Sequence, residues 1–246
     1  MRQASNIVDG TGVMSLRSMP GAAEADCDED SLLLHLVHND RTPILGMLLQ
    51  NGVNAGSGDS LGRTLLHIAC ANGSDIMVGQ LLKAGADINA CVEDLNDYHG
   101  WNALMFAASN GHSACVTQLL EHGIETSHTD AFGRSALHLV CSTTSATVVD
   151  INLEVIAWKL IAAGSGVNDR DLLGYTPLIY AAESGKLRLV KILLEVRAGT
   201  GHKTVSGYTA LTAARKNGHE EIAKILEPVT VSRRGQVPSL FVSCPT

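Results

Sequence analysis

The chain has 246 residues, of which 45% are hydrophobic and only 4% aromatic, and it carries a formal net charge of −7. A chain of this length can form one or two ordinary domains. It has no run of 18 apolar residues and no secretory h-region at its start, which argues against a membrane span and points to an intracellular protein.

Residues 1 to 27 mix Gly, Ser, Met and Ala without helical or strand period, then meet the acidic cluster Asp26, Asp28, Glu29 and Asp30. They read as a disordered N-terminal arm ending at a solvated cap. From residue 28 to residue 228 the chain is repetitive. The first unit is degenerate: Leu33, Leu48, Leu49 and Gly52 lie 33 residues before Leu66, Leu81, Leu82 and Gly85, but Asp40 stands where later units have an inter-helix glycine. The second runs from Gly62 to Asn89, with Gly73 between its helices. Five additional residues within 90–99 precede the third unit and lengthen a turn. In the fourth, the span from Gly133 to Leu160 is eight residues longer than its counterpart. The excess falls between the helices around Ser142 to Ile151, or else extends the outer helix at its start.

The fifth unit, Asp171 to Leu194, shows the design most clearly. Gly174 can take positive φ at a tight turn, Thr176 is a good helix N-cap, and Pro177 follows at the first helical position, where a missing N–H costs nothing. Leu178, Ala181 and Ala182 give the first helix a small apolar face. After Gly185 a second helix carries Leu189, Val190, Ile192, Leu193 and Leu194. Arg197 then occupies the place of Gly85, which leaves that helix end without its usual left-handed residue. The last unit, Val205 to Glu227, is more polar, as a terminal cap should be. Residues 229–246 read as a flexible tail.

The tip glycines Gly62, Gly100, Gly133, Gly174 and Gly207 are spaced by 38, 33, 41 and 33 residues. They are followed by Thr64-Leu65-Leu66-His67, Asn102-Ala103-Leu104-Met105, Ser135-Ala136-Leu137-His138, Thr176-Pro177-Leu178-Ile179 and Thr209-Ala210-Leu211-Thr212. This pattern and period resemble the ankyrin repeat family. The resemblance implies an all-α solenoid of about six helix-turn-helix units joined by β-turn fingers. Neither helix of a unit is long enough to stand alone, so stacking must supply the core.

Chemistry has little place in such a chain. It contains no Gly-x-Ser-x-Gly elbow, no phosphate loop, no kinase signature and no histidine or cysteine spacing typical of metal ligation. The resemblance implies that His67 and His138 make structural hydrogen bonds to neighbouring backbone, and that His112 and His219 follow helix-ending glycines as family positions. Cys27, Cys70, Cys91, Cys115, Cys141 and Cys244 show no Cys-x-x-Cys spacing and read as reduced packing residues. The expectation is a non-enzymatic protein without cofactor or metal.

The sharper signal is at the turn tips. The residues after the glycines are Arg63, Trp101, Arg134, Tyr175 and Tyr208, and their neighbours include Tyr98, Phe132 and Leu173. In a stacked array these eight form one ladder, and Trp, Tyr and Arg are enriched at interface hot spots. The competing reading is that the side chains merely pack on neighbouring turns. Family resemblance implies a concave face that binds a protein partner, as an adaptor or, alternatively, as an inhibitor of a kinase or transcription factor. It also makes Asn89, in Asp87-Ile88-Asn89, similar to asparagines that are hydroxylated in some members. Residues 1–160 hold 7 Lys/Arg and 18 Asp/Glu, net −11, whereas residues 161–246 hold 11 and 7, net +4. That polarity would steer a partner basic toward the first repeats and acidic toward the last, and it disfavours bulk nucleic-acid binding. A monomer with no small-molecule substrate is expected.

Overall fold

A computed structural model describes residues 29–93, 98–143 and 150–231. The N-terminal arm, most of the C-terminal tail and parts of both insertions lie outside them. Twelve helices form six consecutive pairs: α1 (Glu29–His38) with α2 (Thr42–Gln50), α3 (Leu65–Asn72) with α4 (Asp75–Lys83), and α5 (Ala103–Ser109) with α6 (Ser113–Glu121). The other three are α7 (Ala136–Ser142) with α8 (Asp150–Ala162), α9 (Pro177–Glu183) with α10 (Leu187–Glu195), and α11 (Ala210–Lys216) with α12 (Glu220–Val231). The described residues contain no strands beyond the isolated bridges Gly58–Thr64 and Cys91–Asn102 at the bases of two fingers.

Local sequence sets where the helices start. Asn102 accepts from the Met105 amide at 3.0 Å and Thr176 from the Ile179 amide at 3.4 Å, and each cap residue is extended where the chain turns into its helix. Gly73 closes α3 in the left-handed region at φ 78°. Beyond this, stacking takes over. The first helices of the pairs contact in sequence, α1 to α3 to α5 to α7 to α9 to α11, and the second helices form a parallel row from α2 to α12. Small buried residues, among them Ala69, Cys70, Ala107, Cys141, Ala181 and Ala214, let the first row approach closely. Larger ones, Met77, Leu81, Leu119, Leu153, Ile156 and Leu193, fill the space between the rows in one continuous core. Cys70, Cys115 and Cys141 are free thiols within it, and burial pushes Cys115 up to about 12. They are packing residues, as their sequence positions indicated.

Two details depart from the sequence reading, and a third divides between the two alternatives that it left open. Arg197 does not leave α10 without a left-handed residue, because it adopts φ 63° itself, as Asp40 does at φ 51°. Its amide reaches Leu194 O at 3.0 Å and the Ala198 amide reaches Leu193 O at 2.8 Å. The same two bonds close α4 through Gly85 and Ala86, so the stack imposes the turn and a non-glycine side chain bears a strain of about 1–2 kcal/mol. Secondly, α8 has 13 residues where α4, α6 and α10 have nine. Part of the eight-residue excess therefore lengthens the outer helix, which leaves the remainder to the segment around 144–149. Finally, α12 continues through Pro228 to Val231, although an interior proline removes a backbone hydrogen bond and crowds the preceding turn.

Candidate functional site

Four of the fingers, those at Gly62, Gly133, Gly174 and Gly207, are turns closed by backbone and locked by one side chain. The Asp130 amide donates to Arg134 O at 3.0 Å and the Gly133 amide to Asp130 O at 2.9 Å, with Gly133 at φ 76°. Asp130 Oδ1 accepts from the Phe132 and Arg134 amides at 2.9 and 2.8 Å, and Oδ2 accepts from Arg134 Nε at 2.8 Å. Asp59 holds Leu61 and Arg63 in the same way. Asp171 takes the Leu173 and Tyr175 amides and uses its other oxygen for the Tyr180 hydroxyl at 2.7 Å. Thr204 replaces the carboxylate in the last finger and accepts from the Tyr208 amide at 3.0 Å. These locking residues went unnoticed in the sequence, although Asp three residues before a turn glycine was a readable signal.

The fingers are joined sideways. The Ala131 amide donates to His99 O at 3.1 Å, Leu172 to Phe132 O at 3.0 Å and Val205 to Leu173 O at 2.8 Å. This backbone ladder sets the tip side chains in register along one edge. A Cβ on Gly133 would meet the Leu172 amide nitrogen at 3.1 Å, whereas one on Gly207 would meet nothing within 4 Å, and both residues have positive φ. Gly207→Ala is therefore expected to cost about 1–2 kcal/mol of backbone strain. Gly133→Ala should cost measurably more in urea denaturation, and equal costs would mean that the fingers are not in contact.

The eight candidate residues divide into four groups. Phe132, Leu173 and Tyr98 are exposed on the outer edge. Leu61, Leu172 and Val205 are exposed beside them, and sequence reading missed all three because apolar residues one or two places before the glycine were not weighed as a set. Arg63 and Arg134 are half-buried and tied to their own finger aspartates, and Arg134 also lies 4.9 Å from the centre of the Phe132 ring. Tyr175 packs at 4.8 Å on Tyr180, and Tyr208 lies 4.6 Å beneath the Lys216 ammonium, both half-buried behind the edge. Trp101 departs from the ladder, being only 8% exposed and packed edge-on to Tyr98 and Phe106 at 5.0 and 5.1 Å. The apolar ring is drawn inward, so it supports the third finger instead of presenting itself at the edge.

Four of the histidines serve the stack. His67 Nδ1 accepts from the Thr64 amide at 3.0 Å, which fixes its proton on Nε2, and Nε2 donates to Ala90 O at 2.9 Å in the next finger. His138 does the same between Ser135 and Asp169 O. His112 and His219 bond to Ala71 O and Glu183 O of the preceding units, each at 3.0 Å. Burial pushes His67 down to about 4 and His138 below its ordinary value. Such groups clip one unit to the next.

A family model described as ankyrin repeats matches in three copies, over residues 11–91, 90–155 and 152–229. The chain belongs to the ankyrin repeat family. It is 33% identical over 136 residues to a putative palmitoyltransferase, ZDHHC13, of Danio rerio, covering 55% of this chain and 19% of that protein. It is 24% identical over 223 residues to ankyrin repeat protein nuc-2 of Neurospora crassa, covering 80% of this chain and 20% of the other. The nuclear factor NF-kappa-B p105 subunit of Gallus gallus is 30% identical over 184 residues, which cover 70% of this chain and 17% of that one. The chain thus spans a fifth or less of these relatives, and the ankyrin repeats are what it shares with them. Ankyrin repeats generally act as protein-interaction modules and are generally non-catalytic. No helix among the described residues is long and apolar enough to cross a membrane. Asn89 is exposed at the foot of the third finger, where its amide donates to Asp87 Oδ1 at 3.0 Å.

Proposed function

We propose that this ankyrin array is a non-enzymatic adaptor that binds a protein partner along its finger edge and the adjoining first-helix face. One observation carries the reading: six of the ten exposed large apolar residues among those described, Leu61, Tyr98, Phe132, Leu172, Leu173 and Val205, sit at finger tips, the other four being spread over α2, α4 and α8, and three of the tip-to-tip junctions are hydrogen-bonded into register. Apolar side chains held on rigid turns lose little conformational freedom on binding, which is what gives a docking edge its affinity. Tyr175 and Tyr208 supply half-buried aromatic surface behind that edge, whereas Arg63 and Arg134 chiefly brace it.

The test compares two faces of the same protein. Phe132→Ser with Leu173→Ser should weaken a recovered partner at least tenfold, about 1.4 kcal/mol or more, in affinity purification followed by titration. Ile76→Ser alters a residue that is 63% exposed on α4, in the second row of helices, and should leave binding unchanged. A partner that tolerates the tip pair and is lost with Ile76→Ser would place the interface on the opposite face.

A further inference from the structure

The charged side chains of the fingers fall into two kinds, and the difference gives the docking edge a chemical preference. In the second and fourth fingers the arginine after the glycine is consumed by its own aspartate, Arg63 by Asp59 and Arg134 by Asp130, each at 2.7 Å. The cations of the last two fingers are not neutralised in that way. Arg170 and Lys203 are exposed one residue before Asp171 and Thr204, and Arg170 Nη2 donates to Lys203 O at 2.9 Å, so both stand at the same finger junction. Lys216, at the end of α11, is exposed above Tyr208 and 3.2 Å from its hydroxyl. Among the described residues, none of the three has a carboxylate within 4 Å. Beside them lie the most exposed large apolar side chains among the described residues, Leu172 at 72% and Val205 at 78%. Toward the other end of the edge the third finger instead exposes Asp87 and Glu93.

We infer that the edge of the fifth and sixth repeats takes an extended peptide segment that combines apolar side chains with carboxylates, the carboxylates meeting Arg170, Lys203 and Lys216. The inference rests on the interaction reading above and gives it a partner chemistry. Apolar contacts on Leu172, Leu173 and Val205 would set affinity, and the cation set would speed encounter and fix which end of the segment lies over the last repeats. A nucleic-acid strand is the lesser fit, because the same edge carries apolar side chains where phosphates would lie and turns acidic at the third finger.

The experiment pans a library of short random peptides on the full chain and measures the recovered peptides against variants. Recovered sequences should carry apolar residues with an excess of Asp and Glu. Lys203→Glu with Lys216→Glu, both on exposed side chains, should lower the association rate about tenfold at low ionic strength and flatten its salt dependence. Phe132→Ser with Leu173→Ser should release the same peptides. Peptides without acidic excess, or indifferent to the charge reversal yet released by the tip pair, would overturn the carboxylate preference and leave the docking edge standing. Peptides indifferent to both variants, or an empty selection, would remove the edge as well. An oligothymidine strand that displaces the peptides and loses affinity with the charge reversal would overturn the inference in favour of phosphate.

Discussion

Trp101→Ala is expected to destabilise the protein by about 3–5 kcal/mol, the range for deleting a buried aromatic ring, and so to impair binding only as a consequence. The indole is 8% exposed and stands edge-on to both Tyr98 and Phe106. Its backbone also closes the third finger, since the Val92 amide donates to Trp101 O at 2.9 Å and the Gly100 amide to Val92 O at 2.8 Å. Trp101→Phe should cost far less: among the described residues the indole Nε1 has no hydrogen-bond partner, so phenylalanine keeps the ring contacts and discards an unpaired donor. Urea denaturation of the three proteins checks the order. Because a solenoid is held by nearest-neighbour interfaces, the lost repeat can melt ahead of the rest and broaden the transition for Trp101→Ala. A Trp101→Ala protein as stable as the parent but defective in partner binding would mean that the ring is a surface contact after all.

The repeat architecture was legible because its signals are local and recur. Thr176 and Pro177 state a helix start by themselves, and positive φ at Gly62, Gly100, Gly133, Gly174 and Gly207 follows from the one residue that adopts it without strain. What could not be read was set by neighbours. Arg197 takes a glycine's conformation because Leu193 and Leu194 must be bonded across the helix end, and no property of arginine announces that. The eight-residue excess in the fourth unit was ambiguous for the same reason: α8 keeps its C-terminal register with the outer row while lengthening at its start, a choice made by the helices on either side.

The exposed finger edge was legible in position but only partly in identity. Counting from each glycine located the tips, and Phe132, Leu173 and Tyr98 are exposed there. Residue type did not reveal how far each side chain is exposed. Arg63, Arg134 and Trp101 look like interface anchors, but each also answers a demand of its own finger: the finger aspartate for the arginines, half-buried at Asp59 and buried at Asp130, and an inward apolar pocket for the tryptophan. Leu61, Leu172 and Val205 look like ordinary core residues and lie outside. Turn geometry, which fixes the direction of each side chain, decided these cases, and at Leu61, Arg63, Arg134 and Leu172 the turn is held by aspartate hydrogen bonds that the sequence reading passed over.

Acidification should unfold the array from its histidine clips before its carboxylates protonate. His67 lies beneath Phe106, 5.4 Å between ring centres, and its burial is the main cause that pushes its pKa down from 6.5 to about 4, against the raising influence of the Ala90 hydrogen bond and of Asp59 and Asp87. The folded chain therefore keeps the ring neutral while the unfolded chain protonates it. Stability is fully present above pH 6.5 and falls as pH drops from there toward 4, by about 2 kcal/mol at pH 5 and about 3 kcal/mol near pH 4 for this one group. His138, also held low by burial, adds loss of the same sign. Asp59 acts in a lower window: burial alone would raise its carboxyl, but hydrogen bonds from Arg63 hold it below 3.8, so its contribution fades only beneath that pH. His67→Gln separates the two effects, because glutamine at the third helical position can still accept from the Thr64 amide and does not titrate. The variant should be less stable than the parent at pH 7, having lost the clip to Ala90, yet show a shallower fall in stability between pH 6.5 and 4 when denaturation is measured at each pH. Parallel curves for the two proteins would show that His67 already protonates in the folded chain, and the buried-clip geometry would then be wrong.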